Sequence, residues 1–165
     1  MPQHCPDITI RSLTPRDAGE LLTLQRAAYV SEAQLYDDPR LPPLLETHQD
    51  LLEALSHGHG YAAVHGQRLV GAVRVHEHDS RLDISRLAVT PDLQGRGIGS
   101  RLLQAAEDAS HARIAALFTG HRSAANLRLY HRHGYTETHR EPLSAGITLV
   151  HLAKQLRSTP AGDPR

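Results

Sequence analysis

The sequence is poor in sulfur and in large aromatic side chains. Its 165 residues include one cysteine, Cys5, one phenylalanine, Phe118, and no tryptophan. A single cysteine excludes both an intramolecular disulfide and a cysteine-rich zinc site. We therefore expect a reducing compartment, namely the cytoplasm. The first seven residues contain no apolar run, so we do not expect them to act as a secretory signal.

The sequence also lacks long apolar stretches and an excess of charge. No segment approaches the roughly 20 apolar residues that a membrane-spanning helix needs. Lys+Arg and Asp+Glu number 18 each, so the formal net charge is +0. A neutral chain has no overall electrostatic attraction to nucleic acids or to anionic membranes. We therefore expect neither a nucleic acid nor a membrane as a partner.

Lysine is nearly absent, since Lys154 is the only one, whereas histidine occurs 13 times. Codon bias in a GC-rich genome would explain both features. The alternative is metal binding, because histidines two residues apart share one face of a strand. Such pairs occur at His57/His59, His76/His78 and His131/His133. The sequence places no third ligand beside any pair, and the helical HExxH arrangement is missing, so we expect no metal site.

Hydrophobic periodicity predicts the first elements of the fold. Residues 8–12 alternate between apolar and polar side chains, as in a strand. Thr14 and Pro15 are typical of a helix start, and the prolines at 39, 42 and 43 predict a loop after that helix. Thr47, with Asp50 three residues later, predicts the start of a second helix that ends near Gly58.

The rest of the chain alternates between strands and helices. Strands are predicted at residues 61–64, 69–75 and 82–89, with polar turns at residues 65–68 and 76–80. Further on, the pattern predicts a helix at 97–111, a strand at 113–118, a helix at 123–133 and two strands beginning at 135 and 146. The last eight residues, 158–165, contain proline and glycine and few apolar residues, so we expect a disordered tail.

This order of elements predicts an α/β (α+β) fold in one domain over residues 1–157. Consecutive hairpin strands favour antiparallel pairing, and the strand–helix–strand unit around residues 82–118 adds one parallel crossover. We expect a mixed, twisted and mostly antiparallel sheet of about six or seven strands, flanked by about four helices.

The glycine-rich turn after residue 89 is the most informative segment for function. Gly95, Gly97 and Gly99 connect a predicted strand to an amphipathic helix. The start of a helix presents free backbone N–H groups and a partial positive charge, and glycine lets an anion approach the backbone closely. Arg96 and Arg101 could add charge-assisted contacts. The segment therefore predicts a phosphate or pyrophosphate site, although a plain tight turn is the alternative.

Two other phosphate-binding motifs do not fit this segment. A Walker loop needs Gly-Lys-Ser/Thr, and the only lysine, Lys154, lies far along the chain. The dinucleotide fingerprint Gly-x-Gly-x-x-Gly differs in spacing from the glycines at 95, 97 and 99.

The turn resembles a known family. Gln94-Gly95-Arg96-Gly97-Ile98-Gly99 matches the Gln/Arg-x-x-Gly-x-Gly/Ala signature of the GNAT superfamily of acyl-CoA-dependent N-acetyltransferases, and it follows Leu87-Ala88-Val89-Thr90-Pro91 as it does there. The segment from Asn126 through Tyr130 and Gly134 to Tyr135 resembles the second family motif, Asn-x-x-x-Tyr-x-x-x-Gly-Phe/Tyr. The order of elements also agrees, and the resemblance covers roughly residues 8–154.

The resemblance implies how acetyl-CoA would bind as acyl donor, with no metal. The bulged strand before the turn would pair with the pantetheine arm, the turn would hold the pyrophosphate, and an asparagine and a tyrosine on the next helix would contact the ligand. These residues are Leu87, Ala88, Val89, Gln94, Gly95, Arg96, Gly97, Ile98, Gly99, Ser100, Asn126 and Tyr130. Tyr130 would also be the general acid that protonates the leaving thiolate.

The general base is less well defined. The resemblance places a carboxylate on the strand before the turn, and Asp83 is the nearest acid, with Ser85 or a water as alternatives. Glu32, Glu46 and His48 lie in the region that would form the acceptor wall. Thr119 would line the acceptor pocket. The loop that begins at Tyr29 is acidic and aromatic, which suits a cationic amine, so Tyr29 and Glu32 are predicted to bind it.

These features lead to one main hypothesis and two alternatives. The main hypothesis is an N-acetyltransferase that moves an acetyl group from acetyl-CoA to a primary amine of a small molecule, peptide or protein by direct attack in a ternary complex. The first alternative is a catalytically inactive module that senses acyl-CoA. The second, a nucleic-acid-associated protein, is disfavoured by the neutral charge. A homodimer through exposed sheet edges is compatible with the predicted fold.

Overall fold

The computed structural model describes residues 7–157, so the predicted tail at 158–165 lies outside the described residues. Seven strands and five helices follow one another in the order β1 (Ile8–Ser12), α1 (Ala18–Tyr36), α2 (Pro42–Leu45), α3 (His48–His57), β2 (His59–His65), β3 (Arg68–His78), β4 (Arg81–Val89), α4 (Ile98–Ala109), β5 (Ile114–Gly120), α5 (Ala124–Arg132), β6 (Thr136–Ser144) and β7 (Ile147–Gln155). One turn of 3₁₀ helix precedes α1 and another precedes α4.

The strands form one mixed sheet in the order β1-β2-β3-β4-β5-β7-β6. Every pair is antiparallel except β4 with β5, which is parallel because α4 crosses over between them. The predicted mixed, mostly antiparallel sheet is thus confirmed. Strands β1 and β6 form the edges, and all nine residues of β6 are exposed. A homodimer through these edges stays a prediction.

The helices cover both faces of the sheet and create two apolar cores. Neighbouring residues of a strand point to opposite faces, so Ala62 belongs to one core and Ala63 to the other. On one face, Leu102 and Leu103 of α4 pack against β1 to β4. On the other face, α1 and α3 pack together over β2 and β3, with Leu51 fully buried. The two-sided cover holds the central strands β3 and β4 rigidly in place.

Three local predictions are wrong. The acidic, aromatic loop predicted to begin at Tyr29 is helical up to Tyr36, because α1 continues to that residue. The other two errors concern polar or proline-containing segments. The prolines at 42 and 43 do not form a plain loop; they begin the short helix α2, because proline needs no N–H partner in the first turn and its fixed φ suits a helix start. The polar segment at 76–80 is not a turn throughout. Strand β3 continues to His78, and only Asp79 and Ser80 form the turn, both with positive φ.

The single lysine is part of a buried ion pair. Lys154 on β7 lies 2.7 Å from the carboxylate of Glu107 on α4, whose side chain is only 4% exposed. The Tyr135 hydroxyl donates a weak hydrogen bond of 3.4 Å to the same carboxylate. Because a buried carboxylate needs a counter-charge, Lys154 ties the end of α4 to the sheet.

The described residues hold neither a candidate membrane span nor a candidate metal centre. Over residues 7–157 no helix combines the length and apolarity needed to cross a bilayer. In the same part of the chain no three His, Cys, Asp or Glu side chains come together in a way that could ligate a metal ion. The His76 and His78 rings lie 5.0 Å apart, and His78 is hydrogen-bonded to Asp83 instead.

Candidate active site

The sheet opens between β4 and β5. These strands pair only at the start of β4, from Arg81 to Asp83, and diverge beyond it. The register between β3 and β4 shifts between Ala72 and Arg74, and Arg86 has a φ of 54°, so β4 carries a bulge there. The structure thus contains the bulge and the splayed strand that the resemblance implies. Past the bulge, the edge of β4 that faces β5 has no strand partner in the described part of the chain.

A cavity of about 460 Å³ lies along this opened edge. Its walls come from four places: helix α1, the end of β4, the glycine-rich turn with the start of α4, and helix α5. The lining residues are Ala28, Tyr29, Ser31, Glu32, Leu87, Ala88, Val89, Leu93, Gln94, Gly95, Gly97, Ile98, Gly99, Ser100, Ala125, Asn126, Arg128, Leu129 and Arg132. A cavity of this size is large enough for a cofactor-sized ligand.

The start of α4 offers backbone donors to this cavity. Gly95 and Gly97 have φ of 75° and 80°, in the left-handed region that glycine adopts without strain. No side chain caps the helix, and its first turn contains no acidic residue. The first hydrogen bond of the helix runs from the Arg101 N–H to the Gly97 carbonyl, so the N–H groups of residues 98–100 have no partner inside the helix. This end of α4 can therefore bind an anion.

The structure brings most of the predicted donor-site residues together. All of them line the cavity except Arg96 and Tyr130. The Gln94 side-chain amide donates a hydrogen bond of 3.1 Å to the Val89 carbonyl, which would otherwise be an unpaired acceptor at the open strand edge. Asn126 donates to the Thr119 hydroxyl at 3.2 Å. Thr119 itself does not line the cavity, so its contact with the site runs through Asn126.

Tyr130 is largely buried and is not among the residues that line the cavity. Its side chain is 5% exposed and packs near Tyr135, with ring centroids 6.1 Å apart. Its hydroxyl has no hydrogen-bond partner among the residues that the structure describes. Burial raises the pKa of Tyr130 well above its usual value, and the nearby Tyr29 and Glu32 add to the increase. The phenol therefore keeps its proton and remains a potential donor.

Asp83 does not belong to the cavity, which corrects the expectation that it is the general base. It lies at the paired start of β4, where its carboxylate accepts hydrogen bonds of 2.7 Å from His78 and from Arg81. Burial opposes ionisation, but these two partners outweigh it and lower the pKa of Asp83. A carboxylate that two partners hold outside the cavity is not placed to take a proton directly from an amine bound there. Ser85 on the same strand is exposed and does not line the cavity either.

Glu32 is the acidic residue that the structure places in the cavity wall, and a chain of hydrogen bonds orients it. The Arg122 N–H donates to the Tyr36 hydroxyl at 2.9 Å, and the Ser123 hydroxyl donates to Glu32 at 2.6 Å. The Tyr36 and Ser123 oxygens are 3.0 Å apart. Since an N–H only donates and a carboxylate only accepts, Tyr36 donates to Ser123. Every donor in this series of hydrogen bonds thus points towards the Glu32 carboxylate.

This chain of hydrogen bonds requires a glycine at position 120. A Cβ placed on Gly120 would meet the Tyr36 hydroxyl at 2.0 Å. The close approach joins the end of α1 to the segment between β5 and α5. Helix α1, which carries Tyr29 and Glu32, is thereby fixed against the wall that carries Asn126.

A second polar cluster lies beside Tyr29 and is centred on Glu46, two residues before the start of α3. The Glu46 carboxylate accepts hydrogen bonds from Arg74 Nη2 at 2.8 and 2.9 Å and from Arg86 Nε at 2.8 Å. Burial and the neighbouring charges raise the pKa of Tyr29 to about 12; Arg86 and Arg74 oppose the rise, and Glu32 and Glu46 add to it. Glu46 does not line the cavity, and His48 lies exposed at the start of α3.

Sequence reasoning missed two cationic residues of the cavity, Arg128 and Arg132. They are four residues apart on α5, so they share one face of the helix. The spacing of four residues indicates a shared helix face from the sequence alone, but only the structure shows that this face adjoins the start of α4. They bring positive charge to the wall opposite the glycine-rich turn, which favours an anionic ligand. The other lining residues not predicted from the sequence are Ala28, Ser31, Leu93, Ala125 and Leu129.

Solved structures share this fold. The protein yncA from Salmonella typhimurium, solved with its cofactor acetyl-CoA, is 18% identical, with a TM-score of 0.75 over 95% of this chain and 98% of that one. The ribosomal-protein-S18-alanine N-acetyltransferase from Escherichia coli is 16% identical, with a TM-score of 0.78 over 96% of this chain and 99% of that one. At these identities the similarity establishes the fold: this is a protein of the GNAT fold.

The sequence comparison identifies the family. The family model of the acetyltransferase (GNAT) domain matches residues 44–156, so the chain belongs to the GNAT acetyltransferase family. A curated relative, the UPF0157 protein YqkA of Bacillus subtilis (strain 168), is 27% identical over 133 residues, which are 80% of this chain. The match spans only 38% of the length of YqkA.

Proposed function

We propose that this protein is an N-acetyltransferase that transfers an acetyl group from acetyl-CoA to a primary amine. One observation carries the proposal: an uncapped helix start and an unpaired strand edge line the same cavity. The helix start suits a pyrophosphate, and the strand edge suits an amide-containing arm. Membership of the GNAT family and the acetyl-CoA in the yncA structure support this donor.

The residues present fit such a donor. The backbone N–H groups at the start of α4 would hold the pyrophosphate, and Arg128 and Arg132 supply cations on the facing wall. Apart from the glycine itself and its two chain neighbours, no described residue has an atom within 4 Å of a Cβ built on Gly95 or Gly97, so the space above the turn is open. When bound, acetyl-CoA supplies the activated acyl group as a thioester.

Two side chains would handle the protons of the reaction. We assign Glu32 to accept the proton that the ammonium group of the acceptor must lose before it attacks, because Glu32 lies in the cavity wall with its carboxylate oriented by Ser123. We assign Tyr130 to donate a proton to the departing sulfur, because it holds the tyrosine position of the second GNAT motif, four residues after Asn126, which lines the cavity. With both substrates bound together, the C–N bond would form as the C–S bond breaks. The second proton that the nitrogen must lose would then restore the Tyr130 phenol, so that one proton in all is released, by way of Glu32.

The donor site is tested by thermal melting with and without acetyl-CoA. A ligand at about 100 times its Kd adds roughly 2.7 kcal/mol to stability, which raises the Tm of a domain of this size by several degrees. We expect such a rise, followed by thiol release when amines are added. Stabilisation without thiol release for any amine would favour the binding-only module, and no stabilisation at millimolar acetyl-CoA would contradict the donor site.

The proton-handling roles are tested by removing single groups. Glu32→Gln and Tyr130→Phe should each lower kcat roughly 100-fold and leave the acetyl-CoA Kd within about twofold. Tyr135→Phe is the matched control, because its hydroxyl faces Glu107 outside the cavity. Turnover by the Tyr130→Phe protein at the parent rate would show that Tyr130 is not the acid.

A further inference from the structure

Two arginines beside the cavity share a single carboxylate. Arg74 on β3 and Arg86 on β4 both bind Glu46, and their side chains are only 16% and 23% exposed. Gln25, the other residue that contacts the Glu46 carboxylate, is neutral. The cluster of Gln25, Glu46, Arg74 and Arg86 therefore has a net charge of one positive unit. Its arginine side chains are largely shielded from water. Like charges so placed favour an additional anion.

The cluster also has more hydrogen-bond donors than its own residues use. Arg86 uses its Nε for Glu46, and neither of its Nη groups donates to another described residue. The Arg74 Nε is buried and has no hydrogen-bond partner among residues 7–157. A buried donor without a partner costs free energy, and native proteins rarely leave one unexplained. An anionic ligand that reached the Arg86 fork would satisfy part of this unused capacity.

The position of the cluster relates it to the acceptor side of the cavity. Arg86 occupies the bulge of β4 and is followed directly by Leu87, which lines the cavity. Tyr29, which also lines the cavity, lies close to both the arginines and Glu32, since the charges of all three act on its hydroxyl. A negative group in the cavity wall, Glu32, and a positive cluster just outside the lining are thus both near one tyrosine.

We propose that Arg86, supported by Arg74, binds the carboxylate of an acceptor whose amine faces Glu32, so that the substrate is a small amine that also carries a carboxylate, as an amino acid does. The inference rests on the proposed function and deepens it by naming the substrate class. Arg86 suits a carboxylate because its planar guanidinium can donate two parallel hydrogen bonds to it. Glu46 holds Arg86 by Nε and leaves this fork available.

The first experiment uses the parent protein with saturating acetyl-CoA and measures thiol release. The acceptors are the free L-amino acids, each paired with its own α-carboxamide, which retains the amine and the side chain but has no negative charge. We expect at least one amino acid to be acetylated with a kcat/KM roughly ten times that of its amide or more. If no free amino acid is a better acceptor than its amide, the proposal is overturned.

The second experiment uses variants with the best pair of acceptors. Arg86→Gln should raise the KM of the amino acid roughly tenfold or more and leave kcat and the KM of the amide nearly unchanged. Arg86→Lys, which keeps the charge, should restore part of the preference. Arg140→Gln is the matched control, because Arg140 pairs with Glu137 on the exposed strand β6. An equal loss for amino acid and amide would show that Arg86 has a structural role only.

Failure of this inference can be told apart from failure of the proposed function. The acetyl-CoA-induced rise in Tm is measured on every variant. If the parent protein shows no rise, the donor site itself is wrong; if it shows the rise and prefers amides, only the carboxylate assignment is wrong. If Arg86→Gln does not fold, the preference of the parent protein for an amino acid over its amide still tests the carboxylate assignment.

Discussion

Helices α3 and α4 begin in opposite ways. At α3, the Thr47 hydroxyl accepts a hydrogen bond from the Asp50 N–H, and the Asp50 carboxylate accepts one from the Thr47 N–H at 2.7 Å. At α4, the glycine before the helix has no side chain to offer and the first turn has no acid. Since a free helix start is less stable than a capped one, the α4 start lowers the stability of the fold and leaves its N–H groups available to a ligand.

The same contrast extends to the residues next to each helix. Glu46, just before α3, uses its carboxylate within the protein by binding Arg74 and Arg86. The end of β4, just before α4, leaves one backbone edge without a strand partner. The segment around α3 thus completes its own hydrogen bonds, whereas the segment from β4 to α4 leaves its groups for a ligand. The difference separates the residues that stabilise the fold from those that we propose to bind the donor.

The prediction with the largest expected effect removes this contrast by placing in the first turn of α4 the acidic residue that α3 has there. Ser100 occupies the same position in α4 as Asp50 in α3, the third residue of the helix. Ser100→Asp should raise the acetyl-CoA Kd about 100-fold, or about 2.8 kcal/mol, because a carboxylate would occupy the anion site. The free protein should be unchanged or slightly more stable, since an acid favours a helix start. Calorimetric titration measures the Kd, and Ser100→Asn, which adds no charge, is the control.

The second prediction removes the charge that the α3 region uses internally. Glu46→Gln leaves Arg74 and Arg86 without a counter-charge, so the free energy of unfolding should fall by about 2 kcal/mol. Urea denaturation measures the change. Glu137→Gln is the control, because its pair with Arg140 is exposed and should contribute less than about 1 kcal/mol. Equal losses in the two variants would contradict an internal role specific to Glu46.

The third prediction concerns the cap itself. Thr47→Ala removes the side-chain oxygen that caps α3 and should lower the free energy of unfolding by about 1 kcal/mol. Acetyl-CoA affinity should not change, because α3 does not line the cavity. Ser100→Ala should leave stability within about 0.5 kcal/mol, since no cap is lost there. A loss of stability for Ser100→Ala equal to that for Thr47→Ala would mean that α4 is capped after all.

The smallest effect is the pH dependence that Glu46 contributes. Burial alone would raise the pKa of Glu46, but the hydrogen bonds and charges of Arg74 and Arg86 lower it below 4.5. A pKa that is lower in the folded state adds stability that is present above pH 4.5 and is lost as the pH falls through the folded value. Denaturation at several pH values should give a shallower acid-side loss for Glu46→Gln than for the parent protein. Parallel curves would contradict the lowered pKa.

Much of the fold could be predicted because local signals were strong. The Thr47 cap, the glycines from 95 to 99 and the alternation within the strands are all read over a few residues, and each agrees with the structure. The prolines at 42 and 43 were misinterpreted because proline has two opposite meanings, helix end and helix start, and the choice depends on packing further along the chain.

The site was predictable on the donor side and only partly on the acceptor side. The donor residues lie in two short motifs, so the sequence alone groups them. Glu32 is oriented by Ser123, 91 residues away, and no local pattern encodes such a contact. Asp83 was chosen because it is the nearest acid on its strand, but the strands diverge only beyond it. Which stretch of a strand is open depends on its neighbours, and periodicity does not show that.

The ion pair between Lys154 and Glu107 has a practical consequence for work with this protein. Lys154 is the only lysine in the sequence, and its ammonium group lies against a buried carboxylate. The carboxylate holds this ammonium group against the end of α4, so this member of an acetyltransferase family offers an acyl donor almost no lysine of its own. Acetyl groups found by intact-mass measurement, or dyes coupled through amine chemistry, can therefore be assigned to a lysine side chain at one position only.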